Sequence, residues 1–213
     1  GDEALWAVTG ESGIGKVRGA IGMAEAPWLD RAYKMLPSYH PAFIMRNYSQ
    51  RVVLIADMMK VVREMESPEL HLPTRELWIE PTLEDIRALK RDYLDPADLI
   101  SVDIETAAGQ IDCIAFSPSP YLSLCVPFTD TKGRWNYWPT LEEEQAAWRL
   151  VRDILRSPTP KLLQNGLYDV YYLYMKYKIK VRNYLHDTRL LHHALYPELP
   201  KSLDFMVSIH ANE

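Results

Sequence analysis

The stretch LISVDIE, residues 99–105, constrains this chain more than any other. It reads as a short, mostly apolar strand ending in Asp103-Ile104-Glu105. Successive side chains of a strand point to opposite faces, so the two carboxylates share one face and Ile104 points the other way. Burying adjacent carboxylates without a cation costs roughly several kcal/mol, so such a pair persists where it holds a divalent metal or reaches water. The strand therefore needs a core on one side and a hard cation or solvent on the other. A solvated strand end is the bland alternative for the same two residues.

The surrounding pattern predicts an α/β domain. LWIE (77–80) reads as a strand, and Thr82 with Asp85 as a capping box opening a helix that runs to Tyr93. LISVDIE, IDCIAFS (111–117) and YLSLCVPF (121–128), separated by AAGQ and PSP, read as three strands joined in two antiparallel hairpins. Thr140 and Glu143 form a second capping box, and the helix from Leu141 to Arg156 gathers Ala147, Val151, Ile154 and Leu155 on one side. KLLQ (161–164) is a buried short strand, Asn165-Gly166 a turn, and a tyrosine-rich helix follows. In that helix Tyr168, Tyr171, Tyr172 and Met175 make one stripe, expected to face a core rather than to stack on bases. HDTRLLHHAL (186–195) reads as a further helix; its His186, His192 and His193 lack zinc-ligand spacing and are expected on the helix surface. Upstream, ESPELHLPT (66–74) brings in two prolines and predicts a linker. The helix before it, 50–65, places Val52, Ile55, Met59, Val62 and Met65 along a stripe expected to face a core.

A second chemical signal is QNGLYD (164–169), an Asn165-x-x-x-Asp169 spacing at a strand-to-helix junction. Asp169 falls on the first helical turn, where it can face the tip of the strand carrying Asp103. Asp103, Glu105 and Asp169 are therefore the catalytic and metal-ligating candidates. Oxygen ligands of this kind suit Mg²⁺ or Mn²⁺, and a pair of such ions about 3.5–4 Å apart activates water and stabilises the leaving oxygen of a phosphodiester. The implied reaction is hydrolytic phosphoryl transfer.

VDIE, QNGLYD and HDTRLLHHALYPELPKSLDF (186–205) together resemble the 3′-to-5′ exonuclease domain of proofreading polymerases and RNase D, over residues 74–213. Asp103 and Glu105 match that family's first motif, Asp-x-Glu, and Asn165 and Asp169 its second. The resemblance implies an RNase H-like mixed-sheet fold and a two-ion Mg²⁺ or Mn²⁺ site. It also implies a groove for the single-stranded 3′ end of DNA, with Gln164 and Asn165 contacting nucleic acid. The LPKSL phrase at 199–203 is especially like bacteriophage polymerases, which implies a polymerase domain as partner and a proofreading role in host cytoplasm. Asp187 is expected to cap a helix and order the site rather than bind metal. The family's third motif, Tyr-x-x-x-Asp or His-x-x-x-x-Asp, is not found before the chain stops at Glu213, so weak binding of the second ion and slow or absent turnover are expected. Two rival functions stay open: a non-catalytic nucleic-acid-binding or docking module of a polymerase, and an RNase D-like RNA-trimming nuclease.

GESGIGKV (10–17) has the spacing of a phosphate loop, but Val17 stands where a hydroxyl would bind Mg²⁺, and the preceding segment reads as a helix rather than a strand. GDEALWAVTG (1–10), Arg18-Gly19 and LPSYHPAFIMR (36–46) resemble the C-terminal half of a uracil-DNA glycosylase domain, with His40-Pro41-Ala42 matching its second active-site motif. That resemblance implies a partial glycosylase-like α/β segment over 1–68, with His40 in a supporting role. The first active-site motif and the cluster cysteines are missing, so base excision is not expected. A loop histidine before a helix-starting proline accounts for His40 without catalysis.

Cys113 and Cys125, the two cysteines, exclude a disulfide framework or a four-cysteine metal centre and are expected to be buried thiols. A net charge of −5 argues against bulk adhesion to nucleic acid but leaves room for a local basic groove or a metal-neutralised acidic site. No apolar run spans a bilayer, and GDEA at the start lacks a basic region and an apolar signal core, so a cytoplasmic location without membrane contact is expected.

Overall fold

A computed structural model describes residues 1–130 and 136–211. The chain forms two compact units, one comprising Gly1–Leu72 with His192–Glu213, the other Pro73–Leu191. The break near residue 72 falls in the proline-bearing linker; the second unit closes at Leu191, whereas the family resemblance runs to the end of the chain.

In the first unit, helices α1 (Asp2–Thr9) and α2 (Ile14–Val17) precede a two-stranded antiparallel hairpin of β1 (Gly22–Ala24) and β2 (Tyr33–Met35). Helix α3 (Pro41–Arg46) and the long α4 (Arg51–Glu64) follow. The Asp2 carboxylate accepts the amides of Gly13 and Ile14 at 2.8 and 2.7 Å. Those amides of the phosphate-loop lookalike are thus taken by the chain's own anion. The apolar stripe of α4 is core-facing only at Val52, which packs half-buried: Ile55, Met59, Val62 and Met65 are exposed, and Val53, Asp57 and Lys60 are buried instead. Asp57 pairs with Arg18 at 2.7 Å and accepts from Ser38 at 2.5 Å, and Lys60 donates to the carbonyls of Gly19 and Ser208 at 2.8 and 2.9 Å and to that of Ala211. Ser208 and Ala211 belong to α9 (Leu203–His210) and its end. Periodicity locates a stripe but not the side that faces inward. Here the inward side is the one that satisfies buried carbonyls and the Arg18 guanidinium. His192, expected on a helix surface, is also buried, with Nδ1 3.3 Å from His210 Nε2.

The second unit is built on a six-stranded mixed sheet. In chain order its elements are β3 (Glu76–Trp78), α5 (Leu83–Leu89) with a π-helical turn at Lys90–Leu94, β4 (Ile100–Ala107), β5 (Gln110–Ser119) and β6 (Leu122–Pro127). Then come α6 (Leu141–Leu155), β7 (Lys161–Leu163), α7 (Leu167–Tyr177), β8 (Tyr184–Asp187) and α8 (Thr188–Leu195), within which the unit boundary falls. The sheet order is β3-β6-β5-β4-β7-β8, with β4, β5 and β6 antiparallel and the β3–β6, β4–β7 and β7–β8 pairs parallel. Both capping boxes form, with Thr82 accepting from Asp85 and Thr140 from Glu143, so α5 and α6 start where the sequence predicts. Strand β8 replaces the start of a predicted helix, because Tyr184–Asp187 pairs in parallel with β7.

One face of this sheet carries Ile100, Val102, Ile104, Ile114, Phe116, Leu124 and Val126, which share a core with Ile86 and Leu89 of α5 and Ala147, Val151, Ile154 and Leu155 of α6. Trp148 stacks between Phe128 and Tyr177, at centroid distances of 3.9 and 4.4 Å, and ties α6 to the end of α7. Most of the tyrosine stripe of α7 does not face this core: Tyr168, Tyr171 and Met175 are exposed, as is Tyr174, while Tyr172 packs against the core half-buried and Asp169 and Leu173 are buried. Among the described residues no helix is long and apolar enough to cross a membrane.

Candidate active site

The alternation expected of β4 is realised: Ile100, Val102 and Ile104 are buried while Ser101, Asp103 and Glu105 are exposed. Asp103 lies opposite Ala115 and Glu105 opposite Cys113 on β5, and the register shifts immediately after Glu105. That irregularity bends the strand just beyond the acidic pair. Cys113 and Cys125 occupy the same face, half-exposed and with their thiols in hydrogen-bond contact, rather than buried as the sequence suggests. Their apolar flanking residues belong to the other side of the pleat. A cavity of about 430 Å³ on this face is lined by Ser101, Ser117, Ser123, Arg75 and Leu162.

The second half of the site comes from the turn between β7 and α7. Asn165 sits in the left-handed region at φ 56, a conformation asparagine tolerates better than most residues. Gly166 is required by close approach: a Cβ there would lie 2.4 Å from the Leu163 Cβ and 2.9 Å from the Tyr184 hydroxyl. The turn launches α7 so that Asp169, 5% exposed, points back at the sheet, and its Oδ1 accepts the Ile104 amide at 3.3 Å. The amide between Asp103 and Glu105 therefore carries the carboxylate of Asp169. Next to it, the Tyr168 and Thr106 hydroxyls are 3.2 Å apart. Gln164 is half-buried at the end of β7.

Asp187 holds this junction together. Its carboxylate accepts the amides of Asn165 at 3.1 Å, Gly166 at 2.9 Å, Arg189 at 2.9 Å and Leu190 at 3.3 Å, and the Tyr184 hydroxyl at 2.5 Å. Burial works against its ionisation, but the Tyr184 hydroxyl and the amides outweigh it and hold Asp187 below the ordinary carboxylate value. With its oxygens so engaged, Asp187 orders the turn and the start of α8. Arg189 donates to Asn165 Oδ1 at 2.8 Å, fixing that side chain. Tyr184 and Arg189 are site residues that the sequence pattern does not single out. Arg189 stands two positions after Asp187 in HDTR, which is the one signal it offers.

Asp169 and Asp103 are electrostatically frustrated. Desolvation, and then the nearby Asp103 and Asp187 charges, raise Asp169 from 3.8 to about 6 against the Ile104 hydrogen bond. Partial desolvation and the Glu105 charge likewise push Asp103 upward. Two acids coupled in this way are destabilised without a cation and are relieved by one. Among the described residues no group of three or more His, Cys, Asp or Glu side chains is already arranged as a metal cage. Mg²⁺ does not require one, since it keeps several waters and is commonly held by one or two carboxylates together with substrate phosphate. The oxygen donors of Asp103 and Asp169, with Glu105 on the same strand face, therefore fit a hard divalent cation in number and chemistry.

His40 stands apart from this cluster in the sequence and has a local job. Its Nδ1 accepts the Ala42 amide at 3.1 Å and caps α3, with Pro41 at the first helical position.

No protein-family model and no curated protein matches the chain. Among solved structures it is similar to Escherichia coli RNase D, an exoribonuclease involved in structured RNA processing, at 17% identity and a TM-score of 0.43, over 66% of this chain and 34% of that one. It is similar also to the EXD2 exonuclease domain soaked in Mn and GMP, at 19% identity and a TM-score of 0.42, over 58% of this chain and 62% of that one. Brucella melitensis NrnC with bound Mg²⁺ aligns at 12% identity and a TM-score of 0.43, over 67% and 63% of the two chains. The matched part of RNase D is about a third of its length, and in each of the other two it is under two thirds.

Proposed function

We propose that this chain is a divalent-metal-dependent nuclease with an RNase H-like exonuclease domain that removes nucleotides from the 3′ end of single-stranded DNA. The observation that carries this reading is the meeting of two distant stretches: Asp169 on α7 accepts the amide next to Asp103 on β4, and both carboxylates are raised, Asp169 by burial and then the Asp103 charge and Asp103 by burial and then the Glu105 charge. Asp103 and Asp169 would hold the more tightly bound ion. Glu105, on the same strand face, would help hold it and order the attacking water. Bound at these oxygens, Mg²⁺ or Mn²⁺ supplies charge stabilisation at the scissile phosphate and acidifies a water. Asp187 keeps Asn165 and Gly166 in the geometry that aims Asp169. With its carbonyl oxygen held by Arg189, Asn165 has its side-chain amide N–H groups to offer a phosphate or base. The LPKSL phrase supports a proofreading role beside a polymerase domain.

The test is degradation of matched 5′-labelled DNA and RNA single strands with Mn²⁺. A ladder shortening from the 3′ end is expected on DNA. Asp103→Ala should lower the rate by several orders of magnitude while leaving the circular dichroism unchanged. Undiminished cleavage by that variant removes Asp103 from the chemistry. Binding without shortening by the native chain favours the docking-module rival, and preferential shortening of RNA favours the RNA-trimming one.

A further inference from the structure

The outward side of α7 has no part in the carboxylate site, yet it exposes a row of aromatic side chains. Leu167, Tyr171 and Tyr174 follow one another at spacings of four and three residues, so they line one side of a 3.6-residue helix, and Lys178 caps its end. Asp169 and Leu173 occupy the opposite, buried side. Tyr171 is 62% and Tyr174 45% exposed, and Tyr168 continues the surface toward Thr106 at the edge of the site. An amphipathic helix normally shows polar residues to solvent, so an exposed tyrosine row needs a partner or a purpose.

The charge around it indicates which. From Val170 to His186 the sequence contains Lys176, Lys178, Lys180 and Arg182 and no aspartate or glutamate, in a chain whose net charge is −5. Lys178 and Lys180 hold their ammonium groups 6.0 and 5.9 Å from the centre of the Tyr174 ring, and Lys176 lies 6.0 Å from that of Tyr172. A base stacked on Tyr174 would thus have its phosphates beside two cations. Rings interleaved with ammonium groups are what an unpaired strand needs, because every base has a face to stack and every nucleotide a charge to neutralise. A protein partner would find few carboxylate-matching hydrogen-bond forks here, and an apolar one would have to bury the lysines.

We infer that the outer face of α7 is an accessory platform for single-stranded nucleic acid, gripping the body of the strand outside the carboxylate site. Tyr171 and Tyr174 stack bases, and Lys178 and Lys180 neutralise phosphates. The link to strand shortening rests on the nuclease reading; binding by the platform does not.

The experiment is fluorescence anisotropy in EDTA, where no turnover occurs, using labelled single strands of about 12 and about 3 nucleotides in matched DNA and RNA forms. The native chain should prefer the long strand of either type. Tyr171→Ala and Tyr174→Ala should each weaken long-strand binding by about tenfold, whereas Tyr171→Phe, which keeps the ring, should bind as the native chain does. Lys180→Gln should flatten the dependence of log K on log salt by about 0.7. Native-like long-strand affinity in the double alanine variant would overturn the platform. So would a light-scattering result in which the tyrosines hold together a dimer that the variants break. Asp103→Ala separates the two readings: it should bind the long strand in EDTA as the native chain does, yet fail to shorten it when Mn²⁺ is supplied. Absence of any metal-dependent shortening by the native chain, together with lost binding by the tyrosine variants, would sink the nuclease assignment and leave the platform standing.

Discussion

Replacing Asp169 by asparagine should make the metal-free protein more stable and the enzyme inactive. In the folded chain the Asp169 carboxyl titrates at about 6 instead of 3.8, desolvation being the first cause and the Asp103 charge a further one. Each tenfold change in proton affinity is worth about 1.4 kcal/mol, so holding this buried group ionised at pH 8 costs the folded state about 3 kcal/mol. The sign follows from the direction of the shift. A group raised in the folded state adds its stability below the unfolded value and loses it as pH climbs through the folded one. Stability should therefore fall between pH 4 and 6 and level off above. The substituted side chain would still offer an amide oxygen to the Ile104 N–H, which Asp169 accepts at 3.3 Å, and would carry no charge at any pH. In EDTA at pH 8, urea denaturation should show Asp169→Asn more stable by up to about 3 kcal/mol, or about 5–10 °C in Tm, with roughly half that gain left at pH 5. Millimolar Mg²⁺ should then stabilise the native chain at pH 8 and not the variant. A variant less stable than the native chain at pH 8, or an advantage independent of pH, would refute the claim that an unneutralised carboxylate strains this junction.

Asp187→Ala should act in the opposite sense. It would strand the amides of Asn165 and Gly166 and the Tyr184 hydroxyl, costing about 2–4 kcal/mol by thermal melting. Because Asp187 is held below its ordinary value, its contribution is present at neutral pH and fades on acidification, so the cost should shrink in acid, as melts at successive pH values would show. In the first unit, Asp57→Ala leaves Arg18 and Lys60 buried without their carboxylate and should cost about 3–5 kcal/mol, checked by urea denaturation of the whole chain. A loss under about 1 kcal/mol would mean that water reaches the pair as it does a surface ion pair.

Local rules carried much of this protein. Alternation in LISVDIE was enough to place Asp103 and Glu105 together on one face, because the strand period of two admits no other outcome. The threonine caps at 82 and 140 needed only the residue three positions on, and both helices begin there. Asn165-Gly166 marked the turn, since few residue types accept its backbone and its close approach to Leu163. What sequence could not decide was which side of a helix turns inward. In α4 the apolar stripe is exposed because the buried side must supply a carboxylate to Arg18 and an ammonium to three carbonyls. In α7 Tyr168, Tyr171 and Tyr174 are exposed because the inward side delivers Asp169 to the Ile104 amide. Hydrophobic periodicity reports that a stripe exists; the choice of side belongs to hydrogen-bond partners brought from far along the chain, and only the folded structure brings them together.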